Sequence, residues 1–306
     1  VKNLPGKGKV LRDWFGLSDF RPGPKFLRDG SSLYLLESVG STNDFLMGRG
    51  GPAEGRLCAW DGWGWRADAP LQLPPVRNPR PGTVVVAQRQ TAGHGRQGRI
   101  WRDCGGLHLS VVVPHHRAAL EQGFSVWLGV IAALVLREDF RLDARLKWPN
   151  DIMVRGRKIG GILLQRSGAA GERLVVAGLG LNLSTEPGTF PAELQATATS
   201  VFCETGRMIR PGEIGGRIIA RVEAELDRFQ AEGWLAYQPV LALLDCLLGH
   251  DVRLSVGGRL VAGRAVGLDD RGGLVLATQP DGELQTFHSG DAHLLPSLSD
   301  AAGGMP

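Results

Sequence analysis

The chain has 306 residues, 43% of them hydrophobic, enough for one large domain with its own core and a small second one. A net charge of +4 and a pI near 9.1 allow a polyanionic partner without requiring one, because the basic residues are spread along the chain with no interleaved aromatic run. No segment reaches the roughly 18 uninterrupted apolar residues of a membrane span, and the opening VKNLPGKGKVLRDWFG has no apolar signal region, so a cytoplasmic protein with no membrane association is expected.

In chain order, residues 1–30 are rich in Gly, Pro and charge and read as a tail, either poorly ordered or strapped onto the body. SSLYLLESVGSTNDFLM, 31–47, predicts a strand, a turn at Val39-Gly40 and a helix capped by Ser41 or Thr42. Between 48 and 82 the composition shifts to Gly, Pro and Trp, which predicts an insertion or long hairpin outside the core. Its Trp60, Trp63 and Trp65 are expected to pack against the body in preference to contacting a partner.

Strands follow at 83–90 and 107–113, then an apolar helix at 124–140. In RLKWPNDIMVRGRKIGGILLQR, Pro149 and Asn150-Asp151 place one turn between strands and Gly156 a second. RLVVAGLGLNLS, 173–184, gives another strand ending in glycines. Apolar residues at 214, 218, 222, 226 and 229 predict a helix with Gly233 as its stop. Beyond about Gly249 short alternating strands with Gly257-Gly258 and Arg271-Gly272-Gly273 turns suit a small β-barrel. The four cysteines show neither disulfide nor zinc spacing.

Candidate chemistry centres on QRQTAGHGRQGRIW, 88–101, where Gly93, Gly95 and Gly98 stand in G-x-G-x-x-G order. A dinucleotide fingerprint needs a helix opening on those glycines, and the next run, LHLSVVV, is another strand. Arg96 and Arg99 are also superfluous to a site built on a helix N-terminus. The loop is therefore either a phosphate-gripping loop or a Gly-rich hairpin with solvated arginines. Two other glycine-punctuated stretches, KWPND followed by Lys158-Ile-Gly-Gly, and GLGLN at 178–182, set small residues beside charged or amide side chains at strand ends. Taken alone, Lys147 and Lys158 read equally as surface lysines.

Taken together, ESVGSTND, VVVAQRQTAGHGRQGRIW, LKWPNDIMVRGRKIGGILLQ, VVAGLGLNL and the β-rich end resemble the biotin protein ligase family over roughly 31–47 and 82–296. The resemblance implies an α/β (α+β) architecture: a class II synthetase-like catalytic domain at 31–248, carrying the 48–82 insertion, and an SH3-like β-barrel at 249–298. It implies an ATP-dependent, AMP-forming ligase that converts biotin to biotinyl-5′-adenylate and transfers the biotinyl group to a lysine of a biotin carboxyl carrier protein, such as an acetyl-CoA carboxylase subunit.

The resemblance also distributes the roles. Ser41, Thr42, Asn43, Gln90, Gly93, His94, Gly95, Arg96, Lys158, Gly161 and Gly178 would bind biotin. Arg96, Arg99, Trp101, Lys147, Asn150, Asp151, Gly180 and Asn182 would bind ATP and the adenylate. Lys158 and Arg96 would be catalytic, and Mg²⁺ would sit with ATP near Asp151 and Asn182.

His94 stands where many relatives carry a second arginine, and its imidazole is expected either to face the adenylate phosphate or to point to solvent. The first thirty residues leave no room for a helix-turn-helix, so no specific DNA binding is expected; a homodimer is left open. Readings from other classes are a lipoate or octanoyl transferase on the same fold, a nucleic-acid-binding module and an NAD enzyme.

Overall fold

The computed structural model describes residues 7–21, 23, 25–27, 31–60, 63–68, 71–113, 123–167, 174–278 and 281–295. In chain order these form α1 (Lys7–Phe15), β1 (Leu33–Val39), α2 (Thr42–Leu46), β2 (Ala53–Trp60), β3 (Trp65–Ala67), β4 (Leu71–Leu73), β5 (Val84–Gln90), β6 (Gly106–Val112) and α3 (Phe124–Glu138). Then follow β7 (Ala144–Lys147), β8 (Asp151–Val154), β9 (Arg157–Ser167), β10 (Leu174–Asn182), α4 (Val201–Thr205), α5 (Pro211–Glu232) and α6 (Gln238–Leu244). The chain closes with β11 (Asp251–Val256), β12 (Arg259–Leu268), β13 (Leu274–Thr278), β14 (Leu284–Phe287) and β15 (Asp291–Leu294).

Ten strands make one mixed sheet in the order β3-β2-β1-β5-β6-β10-β9-β8-β7, with β4 also on β2; β1 and β5 run parallel and every other pairing is antiparallel. Alternation along the strands gives the sheet two buried faces. Leu33, Leu35, Val84, Val86, Leu107 and Leu109 join the core under α1, α3 and α5. Leu36, Val85, Ala87, Val112 and Val176 pack with Phe45 and Leu46 of α2 on the other. The α2 face carries the candidate site.

Helix α5 buries Ile214, Ile218, Val222, Leu226 and Phe229, the positions its periodicity predicts, and stops at Gly233, whose φ of 72° is a left-handed value that favours glycine. A second sheet, β14-β13-β12-β11-β15, occupies the place of the expected small barrel. Trp148 and Trp234 fasten it to the larger body by donating their indole N–H groups to Gly272 O at 2.9 Å and Asp270 O at 2.7 Å.

The described part of the 1–30 segment is strapped onto the body, the second of the two alternatives: Leu11, Phe15, Phe20 and Phe26 are buried, and Phe26 N–H donates to the buried Glu223 carboxylate of α5 at 2.8 Å. One expectation needs correction. Within 48–82, β2 pairs along β1 and buries Cys58, so this segment extends the sheet and contributes to the core. Trp65 packs on Phe20 and Trp60, as expected, whereas Trp63 stays 94% exposed. Among the described residues no helix is long and apolar enough to cross a membrane.

Candidate active site

Ser41 is the N-cap of α2; its hydroxyl accepts the Asp44 N–H at 3.4 Å and fixes the turn that buries Thr42 and Asn43 against the sheet. Thr42 gives both its backbone N–H, at 2.8 Å, and its hydroxyl, at 3.1 Å, to Gln90 Oε1. Ser110 Oγ of β6 lies 2.7 Å from Thr42 Oγ1 and 2.6 Å from Asn43 Oδ1, while Asn43 Nδ2 donates to Gln165 Oε1 at 2.8 Å. Position 178 must be glycine for this arrangement, since a Cβ there would stand 2.5 Å from Asn43 Oδ1. The result is a buried wall of neutral polar groups with fixed orientation.

The other wall is charged. Lys158 is pinned by its backbone, which donates to Thr197 O at 2.8 Å and accepts from Thr199 N at 2.9 Å. Its ammonium lies 2.5 Å from Asp151 Oδ1 and 5.7 Å from the centre of the Trp101 ring. Trp101 in turn packs closely on Gly180, where a Cβ would come within 2.6 Å of the indole. Asn150 closes the β8–β9 end by exchanging hydrogen bonds with Ile162: Nδ2 donates to Ile162 O at 2.7 Å and its carbonyl accepts from Ile162 N at 3.0 Å.

The 93–99 loop crosses between the walls. Gly95 N–H reaches back to Arg99 O at 2.7 Å and Trp101 N–H to Gly93 O at 2.9 Å, with Gln97 and Gly98 at positive φ. Only a single 3-10 turn forms at Arg96–Gly98, so the dinucleotide-binding context is absent. Burial draws the Arg96 guanidinium below its usual range, against the opposing charges of Asp151 and Asp291. Arg99 is held above its usual range by its hydrogen bond to Asp291 of the small sheet.

All but three of the candidate residues line this one cavity. Gly93 is buried at the start of the loop and outside the lining, and Lys147 faces a neighbouring cleft beside Leu241 and Asp245. Asn182, expected at the nucleotide, is instead buried outside the cavity lining with Nδ2 donating to Thr199 O at 3.0 Å; it supports the segment that pins Lys158. His94 lines the cavity, with Nε2 3.3 Å from Gln165 Nε2 and 3.8 Å from the Asp44 carboxylate and Nδ1 3.2 Å from Ala92 O.

Four residues of the two walls and loop contacts escaped the sequence reading. His108 and Ser110 sit mid-strand in an apolar run, Gln165 comes from the far end of β9, and Asp291 comes from the second sheet. Alternation of β6 alone puts His108 on the same face as Ser110, which was the available signal.

Comparison with known proteins supplies the rest. Residues 71–182 match the Biotin/lipoate A/B protein ligase family and residues 247–295 the Biotin protein ligase C terminal domain. The biotin--[acetyl-CoA-carboxylase] ligase of Paracoccus denitrificans is 34% identical over 204 residues, covering 63% of this chain and 82% of that protein. The bifunctional ligase/repressor BirA of Escherichia coli K12 is 28% identical over 298 residues, covering 96% of this chain and 83% of that protein. The biotin protein ligase of Aquifex aeolicus, solved in complex with biotin and ATP, superposes with a TM-score of 0.66 at 26% identity, covering 87% of this chain and 99% of that one. With its loop, its two-walled cavity and its second sheet, the chain belongs to the biotin protein ligase family.

Proposed function

We propose that this cavity activates biotin with ATP and passes the biotinyl group to a lysine of a biotin carboxyl carrier protein. The observation that carries the reading is the pairing, in one cavity, of the neutral Thr42–Gln90–Ser110–Asn43 wall with the Lys158, Arg96 and Asp151 cluster. The first suits the uncharged cyclic urea of biotin, and the second suits the meeting of two anions, a carboxylate and an α-phosphate.

In the first step a biotin carboxylate oxygen forms a bond to the α-phosphorus and the bond to pyrophosphate breaks. Lys158 and Arg96 counter the charge that accumulates there. Trp101 gives the adenine a flat apolar face, and the 93–99 loop shields the mixed anhydride from water. In the second step the carrier lysine, as a neutral amine, attacks the anhydride carbonyl; AMP leaves and one proton passes to solvent. No protein nucleophile is needed.

Magnesium fits as a companion of the nucleotide. Among the described residues no three His, Cys, Asp or Glu side chains converge to hold a metal unaided. Asp151 offers one carboxylate at the cavity, and Mg²⁺ commonly rests on one or two carboxylates together with substrate phosphates. There it would neutralise phosphate charge. Asn182 stands outside the lining with its amide N–H on Thr199 O, where it supports the segment that pins Lys158.

Pyrophosphate release tests the reading. It should require biotin and ATP together, and neither lipoate nor octanoate should replace biotin. Release with lipoate and none with biotin would contradict it.

A further inference from the structure

Lys158 stands where its strand changes neighbours. On one side, the register of β8 against β9 slips by one residue between the pairs Met153–Lys158 and Ile152–Gly160, a β-bulge in which Ile159 is the extra residue. On the other side, β10 pairs with β9 only as far as Gly160, and the segment 197–199 takes its place through a parallel bridge from Lys158 to Ala198. A bulge re-aims the side chains beside it, so the direction of Lys158 depends on what holds 197–199. A buried carboxylate ties that segment down. Glu204 of α4, its side chain 2% exposed, accepts the Thr199 hydroxyl at 2.6 Å and the Arg157 guanidinium at 2.7 Å on one oxygen, Oε1, while Arg155 lies 3.5 Å from Oε2.

We propose that Glu204 is a positioning residue for biotin activation: by gripping Arg157 and Thr199 together, it aims the Lys158 ammonium at the place where carboxylate and α-phosphate meet. The proposal rests on the biotin-activating reading above. Arg157 precedes Lys158 in β9, and Thr199 N–H donates to the Lys158 carbonyl at 2.9 Å, so both partners act directly on the lysine backbone. Glu204, Thr199 and Arg157 all stand outside the cavity lining, and their influence on the reaction passes through Lys158. Asp151 holds the ammonium end of that side chain, and Glu204 holds the backbone end. With a catalytic group fixed in this way, a misplacement of about 1 Å can cost about 10²-fold in rate.

The test is isotopic pyrophosphate exchange with biotin and ATP, beside calorimetric biotin binding, for the wild type, Glu204→Ala, Glu204→Gln and Thr199→Val, each also in a Lys158→Ala background. Glu204→Ala should lower kcat for exchange about tenfold, while biotin affinity and KM for ATP change by less than about twofold. Glu204→Gln keeps an oxygen for Thr199 and Arg157 and should recover most of the rate. The cycle with Lys158 separates aiming from general support: in the Lys158→Ala background Glu204→Ala should cost less than about twofold, because no ammonium remains to be aimed. Loss of a merely structural prop would slow both backgrounds alike. Thr199→Val removes one hydroxyl from the clasp and keeps the side-chain shape; it should lower kcat about threefold with the same dependence on Lys158, and it decides the matter if Glu204→Ala does not fold.

An unchanged kcat in Glu204→Ala, or in Thr199→Val where only that variant folds, would overturn the proposal while the ligase reading stands, and so would an equal loss in both Lys158 backgrounds. A wild-type protein with no biotin-dependent exchange would instead remove the ligase reading, and this proposal with it.

Discussion

Lys158 and Asp151 face each other across the β8–β9 hairpin, ammonium nitrogen to carboxylate oxygen at 2.5 Å, inside the cavity where the two anionic substrates would meet. Asp151 holds the ammonium in place before substrate arrives, so the charge needs little reorganisation when the phosphate approaches. Lys158→Ala should therefore reduce the rate of adenylate formation by about 10²–10³-fold, the cost of losing one preorganised charge contact. Biotin affinity should fall far less. Pyrophosphate exchange measured beside calorimetry separates the two effects, and a fully active variant would remove Lys158 from the mechanism.

Gly180 lets Trp101 lie against the strand backbone. An alanine there would place its Cβ 2.6 Å from the indole ring and force Trp101 aside. Overpacking of this kind costs about 1–3 kcal/mol, so Gly180→Ala should raise KM for ATP about tenfold or more. Tryptophan fluorescence of the unliganded variant should shift with it. Steady-state titration of ATP at saturating biotin is the check.

Asp291 reaches from the second sheet to hold Arg99 of the loop. Asp291→Asn should loosen the loop and leave the fold intact, because an exposed ion pair adds little global stability. Trypsin should then cut after Arg96 or Arg99 several times faster than in the wild type, with an unchanged urea midpoint. Equal cleavage rates would mean that the loop is held by its own backbone bonds alone.

Burial of His108 ties stability to pH. An unfolded histidine titrates near 6.5, and burial sets the folded His108 below its usual range despite the facing Asp103 carboxylate, so the folded state binds fewer protons. The stabilisation from this group is present above the unfolded value and is lost as pH falls from about 6.5 through the folded value. Urea midpoints should fall between pH 8 and pH 5, and by less in His108→Phe. Parallel curves for the two proteins would contradict the assignment.

Sequence pattern reached the local features well and the distant ones poorly. Period and turn chemistry located β5, β6, α3, the β8–β9 hairpin and the stop of α5 at Gly233, because each depends on residues adjacent in the chain. Composition left the tail open between loose and strapped, because its anchor, Glu223, lies about two hundred residues away and is invisible to local composition. Asn182 was carried to the nucleotide by its place in GLGLN, yet Thr199 claims its amide. Asp291 joined the site through the docking of one sheet on another, which no single-chain periodicity encodes.

The central claim is that the cavity makes and then spends an acyl-adenylate. Native mass spectrometry of the protein incubated with biotin, ATP and Mg²⁺, without a carrier, measures it most directly. The account predicts a complex heavier by one biotinyl-5′-adenylate, which disappears when a carrier protein is added as the carrier gains one biotinyl group. A protein that retains biotin and ATP as separate, unreacted ligands, or a carrier that gains nothing, would contradict it.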